Sequence, residues 1–282
     1  MVIFKNVKDI QEYISGKKVA GVRPGFIPTM GALHAGHLSL IAKAREDGML
    51  IICSIFVNPT QFNDKKDFEQ YPISVEEDIE LLVKAGCDVL FLPSQEEVYP
   101  GGQQKAATYD FGYLDTILEG AKRPGHFKGV GQVVARLLEI VQPERLYLGQ
   151  KDYQQCMVIN KLISKMGTDI TSVVICPTMR EPDGLALSSR NRRLTESQRA
   201  VAVTIYQCLV SIESKQKMGS FALVKKECEE LLAAKGFDVE YVALANARDL
   251  TLLNTYEPGY PMVTLIAARI GEIRLIDNMV LG

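Results

Sequence analysis

The first two-thirds of the chain alternates short apolar runs of β character with stretches of helical spacing, and this alternation constrains the fold more than any other feature. Runs at 26–29, 50–57, 89–92, 145–148 and 172–176 predict strands. Between them, Ser74-Val-Glu-Glu77 reads as a capping box opening a helix that stops near Gly86, and 131–141 and 152–166 carry apolar residues at helical intervals. Strands separated by helices build a parallel sheet covered by those helices. The expected class is therefore α/β with a Rossmann-like parallel sheet.

The pattern changes after residue 177. A charged loop punctuated by Pro182 and Gly184 leads into a helix capped at Thr195-x-x-Gln198 and expected over 195–218. A second helix is expected over 221–235, then strands at 239–244, 262–267 and 272–276. We read two domains, 1–177 and a smaller α+β domain at 178–282. A length of 282 residues suits two such domains.

Composition excludes several function classes. The net charge of −2 argues against a nucleic acid as main partner. The most apolar stretch, 49–57, is only nine residues, too short to cross a bilayer as a helix. The first dozen residues mix charges with apolar side chains and offer no leader pattern, and the six cysteines form no C-x-x-C pair. A cytoplasmic protein with reduced, buried thiols is expected. The charge is uneven, however: residues 120–193 hold 12 Lys and Arg against 6 Asp and Glu, a local surplus suited to a small polyphosphate.

No P-loop signature occurs, and Gly129-Val-Gly131 lacks the third glycine of a dinucleotide fingerprint. These two glycines are expected just before a helix, where they serve either an anion at its N-terminus or a plain tight turn. The chain has three histidines, and His34 and His37 fall within four residues directly after the first expected strand. Two imidazoles flanking Gly36 at a strand-to-helix turn can both face a ligand over the helix N-terminus, and phosphoryl oxygens are the natural ligand. Two histidines at this spacing do not make a zinc site.

The H-x-G-H spacing marks the nucleotidyltransferase superfamily, and the longer string PTMGALHAGH resembles the pantothenate synthetase (pantoate–β-alanine ligase) family. SIFVNPTQF at 54–62, RPGHFKGVGQVV at 123–134, LGQKDYQQ at 148–155 and PTMREPDGLALSSRNRRL at 177–194 agree, in order, with the same family. The resemblance implies condensation of pantoate with β-alanine, using ATP and Mg²⁺, through a pantoyl adenylate. It also implies a homodimer, an ATP- and pantoate-binding first domain and a C-terminal lid.

Residue by residue, the resemblance assigns His34, His37 and Lys151 to phosphate, with Ser188, Ser189 and Arg190 standing where the superfamily often has a lysine-rich loop. An arginine fork with two hydroxyls can do the same electrostatic work. Met30, Gly149, Asp152, Met179 and Leu187 complete the expected ATP site. Gln61 and Gln155 match the glutamines that bind pantoate, each offering donors and an acceptor without charge. Pro28, Met30 and Phe62 are candidates for its apolar wall, Asn58 and Tyr71 for its support, and Arg123 and His126 for the mouth. Asp78 and Asp152 are the candidate metal ligands, Asp78 the preferred one. The alternative, transfer of a nucleotidyl group to a phosphorylated acceptor, would call for cations where this chain has two glutamine amides.

Overall fold

The computed structural model describes residues 1–62, 68–167, 171–215, 220–257 and 259–281. The chain divides into two compact units, one formed by Met1–Gly149 with Val158–Cys176, the other by Gln150–Met157 with Pro177–Gly282.

The first unit is built on a six-stranded sheet ordered β1-β4-β3-β2-β5-β6, with all pairings parallel. Its strands are β1 (Val2–Phe4), β2 (Pro24–Thr29), β3 (Leu50–Ile55), β4 (Val89–Phe91), β5 (Arg145–Gly149) and β6 (Ser172–Cys176). The five expected strands are all present, and β1 is an edge strand that the sequence pattern did not reveal. β3 is almost wholly buried, as its continuous apolar run requires of a strand covered on both faces. Ile27, Ile51 and Leu90 pack with Leu40 and Ile41 of helix Ala35–Glu46 and Leu82 of helix Val75–Ala85.

Chain order reverses at β2, which lies between β3 and β5. β5 pairs with β2 only at Gly25 and Phe26, so Pro28, which has no N–H, comes after that ladder has ended. In parallel α/β sheets such a switch point opens a crevice at the carboxyl ends of the strands. The histidine turn leaves β2 at that end.

Two local expectations are corrected. Ser74 makes no capping bond to the backbone. Its hydroxyl donates instead to Asp78 Oδ1 at 3.2 Å, drawn by a buried carboxylate one turn along. Gly129 and Gly131 do not precede a helix but lie inside helix His126–Val141, both buried. A Cβ on Gly129 would collide with the Thr60 carbonyl oxygen, and one on Gly131 would stand 2.8 Å from the Phe111 ring. Close packing, not anion binding or a turn, explains these glycines.

In the second unit β7 (Asp238–Asn246), β8 (Leu252–Leu253), β9 (Met262–Ile270) and β10 (Ile273–Leu281) form an antiparallel sheet ordered β10-β9-β7-β8. Helices Thr204–Lys215 and Phe221–Ala234 cover it through Leu209, Ile212, Val224 and Leu232. The expected helix over 195–218 is two helices, Glu196–Ala202 and Thr204–Lys215, broken at Val203 in a β-branched stretch of poor helix propensity. Its expected end at Met218 lies outside the described residues. The capping box at Thr195 and Gln198 is formed, with bonds of 3.2 and 3.0 Å.

Candidate active site

The histidine turn is built from its backbone upward. After β2, Gly31 and Ala32 both take positive φ, +81° and +49°. For alanine that conformation is strained, and it needs support from outside. Asp78 supplies it. Its carboxylate, 1% exposed, accepts the Ala32 N–H at 2.8 Å and the Leu33 N–H at 2.7 Å. A Cβ on Gly31 would meet Asp78 Oδ2 at 2.9 Å, so glycine is required there for space as well as for φ.

His34 is the N-cap of helix Ala35–Glu46. Its Nδ1 accepts the Gly36 N–H at 3.1 Å, while His37 Nδ1 accepts the His34 N–H at 3.3 Å. The two rings, 4.1 Å apart, thus cap the helix with their inner nitrogens. A nitrogen that accepts carries no proton, so each neutral ring keeps its proton on Nε2. The turn therefore has two imidazole N–H donors at a helix N-terminus, an arrangement suited to an anion.

Gln61 ends the short helical turn Pro59–Gln61, and its Nε2 approaches Met30 Sδ at 2.7 Å. Its backbone carbonyl accepts from His126 Nδ1 at 2.8 Å and from Arg123 Nη2 at 3.4 Å. Arg123 Nη1 lies 3.2 Å from His126 Nε2. Carbonyl and guanidinium together select the Nδ1–H tautomer, so Arg123 and His126, expected at the mouth of the site, act as a clamp on the Gln61 backbone. Asn58 is fully buried and bonds Thr60, the Gly129 carbonyl and the Tyr99 hydroxyl, which holds the same turn. Phe62 meets Tyr71 edge-on at 5.6 Å. Pro28 stands in register with Ser54. A cleft of about 270 Å³, lined among others by Met30, Gly31, Ile55, Ile73 and Asp78, borders the histidine turn and contains neither histidine nor Gln61.

The remaining candidates belong to the second unit, apart from Gly149, which ends β5. Lys151 and Asp152 lie in the turn Gln150–Asp152, and Gln155 on the first turn of helix Tyr153–Met166. Asn278 Nδ2 donates to the Gln150 and Lys151 carbonyls at 2.9 and 2.8 Å. Leu187 N–H bonds the Met179 carbonyl at 3.0 Å, closing the loop that carries them. Ser188 caps the turn Ser189–Arg193 by accepting the Arg190 N–H at 3.3 Å, and Ser189 is buried. Asn278 was missed by sequence reasoning because no diagnostic string surrounds it. Arg180 stood within a quoted block without being singled out.

Among the described residues no group of three or more His, Cys, Asp or Glu could hold a metal ion. Asp78 has both oxygens engaged by backbone N–H groups, and Ser74 adds a third donor. All six cysteines are buried and free. No described helix is long and apolar enough to cross a membrane.

The sequence profile described as Pantoate-beta-alanine ligase matches residues 2–280. A pantothenate synthetase of Cytophaga hutchinsonii is 41% identical over all of this chain and 99% of its own length, and one of Bacteroides thetaiotaomicron is 40% identical over 99% and 98%. The crystal structure of pantothenate synthetase from Thermus thermophilus superposes with a TM-score of 0.89 at 40% identity, covering 99% of each chain. That of the Francisella tularensis pantoate-beta-alanine ligase, complexed with beta-gamma ATP and beta-alanine, gives 0.83 at 38% identity over 99% and 97%. With agreement in sequence and in fold along essentially its whole length, the chain belongs to the pantoate-beta-alanine ligase family.

Proposed function

We propose that this ligase joins pantoate to β-alanine in two steps. In the first, a pantoate carboxylate oxygen attacks the α-phosphorus of ATP, the bond to the β-phosphate breaks, and pyrophosphate leaves. In the second, the uncharged β-alanine amine attacks the acyl carbon, AMP departs with its bonding pair, and the amine proton passes to solvent. No enzyme nucleophile is needed, because the adenylate is already an activated acyl group.

The observation that carries this reading is the pair of Nε2–H donors held at the helix N-terminus by His34 and His37. They stabilise charge that grows on the phosphates as pyrophosphate departs, which is the costly part of the first step. Lys151, Ser188, Ser189 and Arg190 supply further positive charge and donors for phosphate, and Met30, Gly149, Asp152, Met179 and Leu187 complete the ATP contacts. Gln61 and Gln155 bind pantoate through their amides, with Pro28, Met30 and Phe62 as the apolar wall. Asn58, Tyr71, Arg123 and His126 keep the Gln61 turn in place. A magnesium ion would bring charge neutralisation to the triphosphate. The donor set among the described residues does not amount to a protein cage for it. The enzyme works in the cytoplasm as a homodimer.

The test is a mixture of protein, ATP, Mg²⁺, pantoate and β-alanine, assayed for AMP, pyrophosphate and pantothenate. Equal amounts of the three products, formed only with both organic substrates present, are expected. ADP formation, or nucleotide cleavage indifferent to pantoate, would contradict the reading.

A further inference from the structure

The turn Gln150–Asp152 that carries Lys151 is three residues long, too short to fix its own position. Asn278, on β10 and only 2% exposed, holds it. Its Nδ2 donates to both the Gln150 and the Lys151 carbonyls, and its Oδ1 accepts Gln150 Nε2 at 3.3 Å. One side-chain amide provides two donors and an acceptor at a single point, and no carboxylate or hydroxyl can do so.

Asn278 is itself held. Its N–H donates to Asp277 Oδ1 at 2.8 Å, and Asp277, 5% exposed, accepts Arg180 Nη1 at 2.5 Å and Nη2 at 3.0 Å. Arg180 Nη2 also reaches the Asn278 carbonyl at 3.2 Å, and Nη1 the Gly184 carbonyl at 3.0 Å. The guanidinium stacks 4.4 Å from the centre of the Tyr206 ring. Gly184, at φ +100°, lies so close to that ring that a Cβ would enter it. A buried ion pair is a poor source of net stability, since apolar residues of similar volume commonly do as well. What this pair adds is orientation: it fixes the backbone of residues 277–278, and through Asn278 the two carbonyls that flank the Lys151 α-carbon.

We infer that Asn278, backed by Asp277 and Arg180, is a positioning residue for Lys151, setting the direction from which the ammonium meets phosphate. The inference rests on the reading of Lys151 as a phosphate ligand. It makes Lys151 and the 180–190 segment, which bears Ser188, Ser189 and Arg190, share one buried carboxylate as their anchor.

The test is a double-mutant cycle on the full chain, read by pantoate-dependent exchange of labelled pyrophosphate into ATP. Misplacement of a reacting group by about 1 Å can cost ~10²-fold, so Asn278→Ala is expected to slow exchange by about tenfold or more. In a Lys151→Ala background the same change should add less than about twofold, because the residue it positions is gone. Conversion of supplied pantoyl adenylate to amide should change by less than about twofold, since that step does not build charge on pyrophosphate. Gln150→Ala, which removes only a partly exposed contact, repeats the cycle without endangering the fold and should give a smaller loss with the same dependence on Lys151. Equal factors in both backgrounds, for either variant, would overturn the positioning role. Wild-type exchange by Lys151→Ala would overturn the phosphate reading of that lysine instead, and the positioning role with it.

Discussion

At Gln61 the backbone and the side chain have separate tasks. The carbonyl is clamped by His126 and Arg123, which leaves the amide to meet Met30 Sδ or a ligand. If the amide reads a pantoate hydroxyl, a buried amide without that partner is penalised by ~1–3 kcal/mol. Gln61→Met, similar in length and lacking the amide, should therefore lower kcat/KM for pantoate more than for the analogue missing the corresponding hydroxyl. Equal losses for both acids would move selectivity to the apolar wall. Asp78 bears a second prediction. An Asn there keeps one acceptor but turns an NH₂ toward the Ala32 or Leu33 N–H, leaving a buried donor unpaired at a cost of ~1–3 kcal/mol. Asp78→Asn should unfold at lower denaturant and adenylate slowly at every magnesium concentration. Restoration by excess magnesium would show that the carboxylate serves the ion. The histidine turn was legible because H-x-G-H after a strand is a local pattern. The bracing by Asp78 was not, because it joins residues 45 and 46 positions apart.

Helix His126–Val141 shows why the sequence misplaced a glycine pair. Its start is signalled by Pro124-Gly125, with Gly125 at φ +83°, five residues before the position that apolar spacing suggested. The meaning of Gly129 lies in the Thr60 carbonyl against it, a tertiary contact invisible to periodicity. Gly129→Ala should push the helix and the Pro59–Gln61 turn apart, destabilise the chain by ~1–3 kcal/mol as overpacked cores do, and raise KM for pantoate. An unchanged KM in a destabilised variant would separate the glycine from the site. At the other end of the sheet, Asp47, where helix Ala35–Glu46 ends, accepts the Tyr147 hydroxyl at 2.8 Å and pairs with Lys43 and Arg145. These partners, the tyrosine hydroxyl first, hold its carboxyl at about 2, below the ordinary 3.8. A depressed carboxyl stabilises the fold above its unfolded value and loses that contribution as pH falls through about 2. Chemical denaturation between about pH 4 and pH 2 should thus weaken the wild type more steeply than Asp47→Asn. Identical slopes would show that the pairing contributes nothing.

Across the whole molecule, the alternation of strands and helices made the parallel sheet legible, and the altered pattern after 177 announced a different architecture. The grouping of Gln150–Met157 with the C-terminal unit was not legible, because its ties, to Asn278 and from the Tyr153 hydroxyl to the Ala247 carbonyl, reach far along the chain and lie in no recognisable motif. The same unit carries Ser188, Ser189 and Arg190, whose segment should become more protected from hydrogen exchange over 180–194 when ATP and pantoate are added together. Unchanged protection at saturating ligand would rule out a lid. Whether the histidine turn serves adenylation before the amine arrives can be read from exchange of labelled pyrophosphate into ATP with pantoate present and β-alanine absent. His34→Asn keeps an N-cap acceptor for the helix, so the lost imidazole donor is what its rate reports. An adenylation role for the turn predicts exchange without β-alanine in the wild type and a fall of ~10²–10³ in His34→Asn and in His37→Ala. A strict requirement for β-alanine, or normal exchange by histidine variants that fail to form amide, would contradict it.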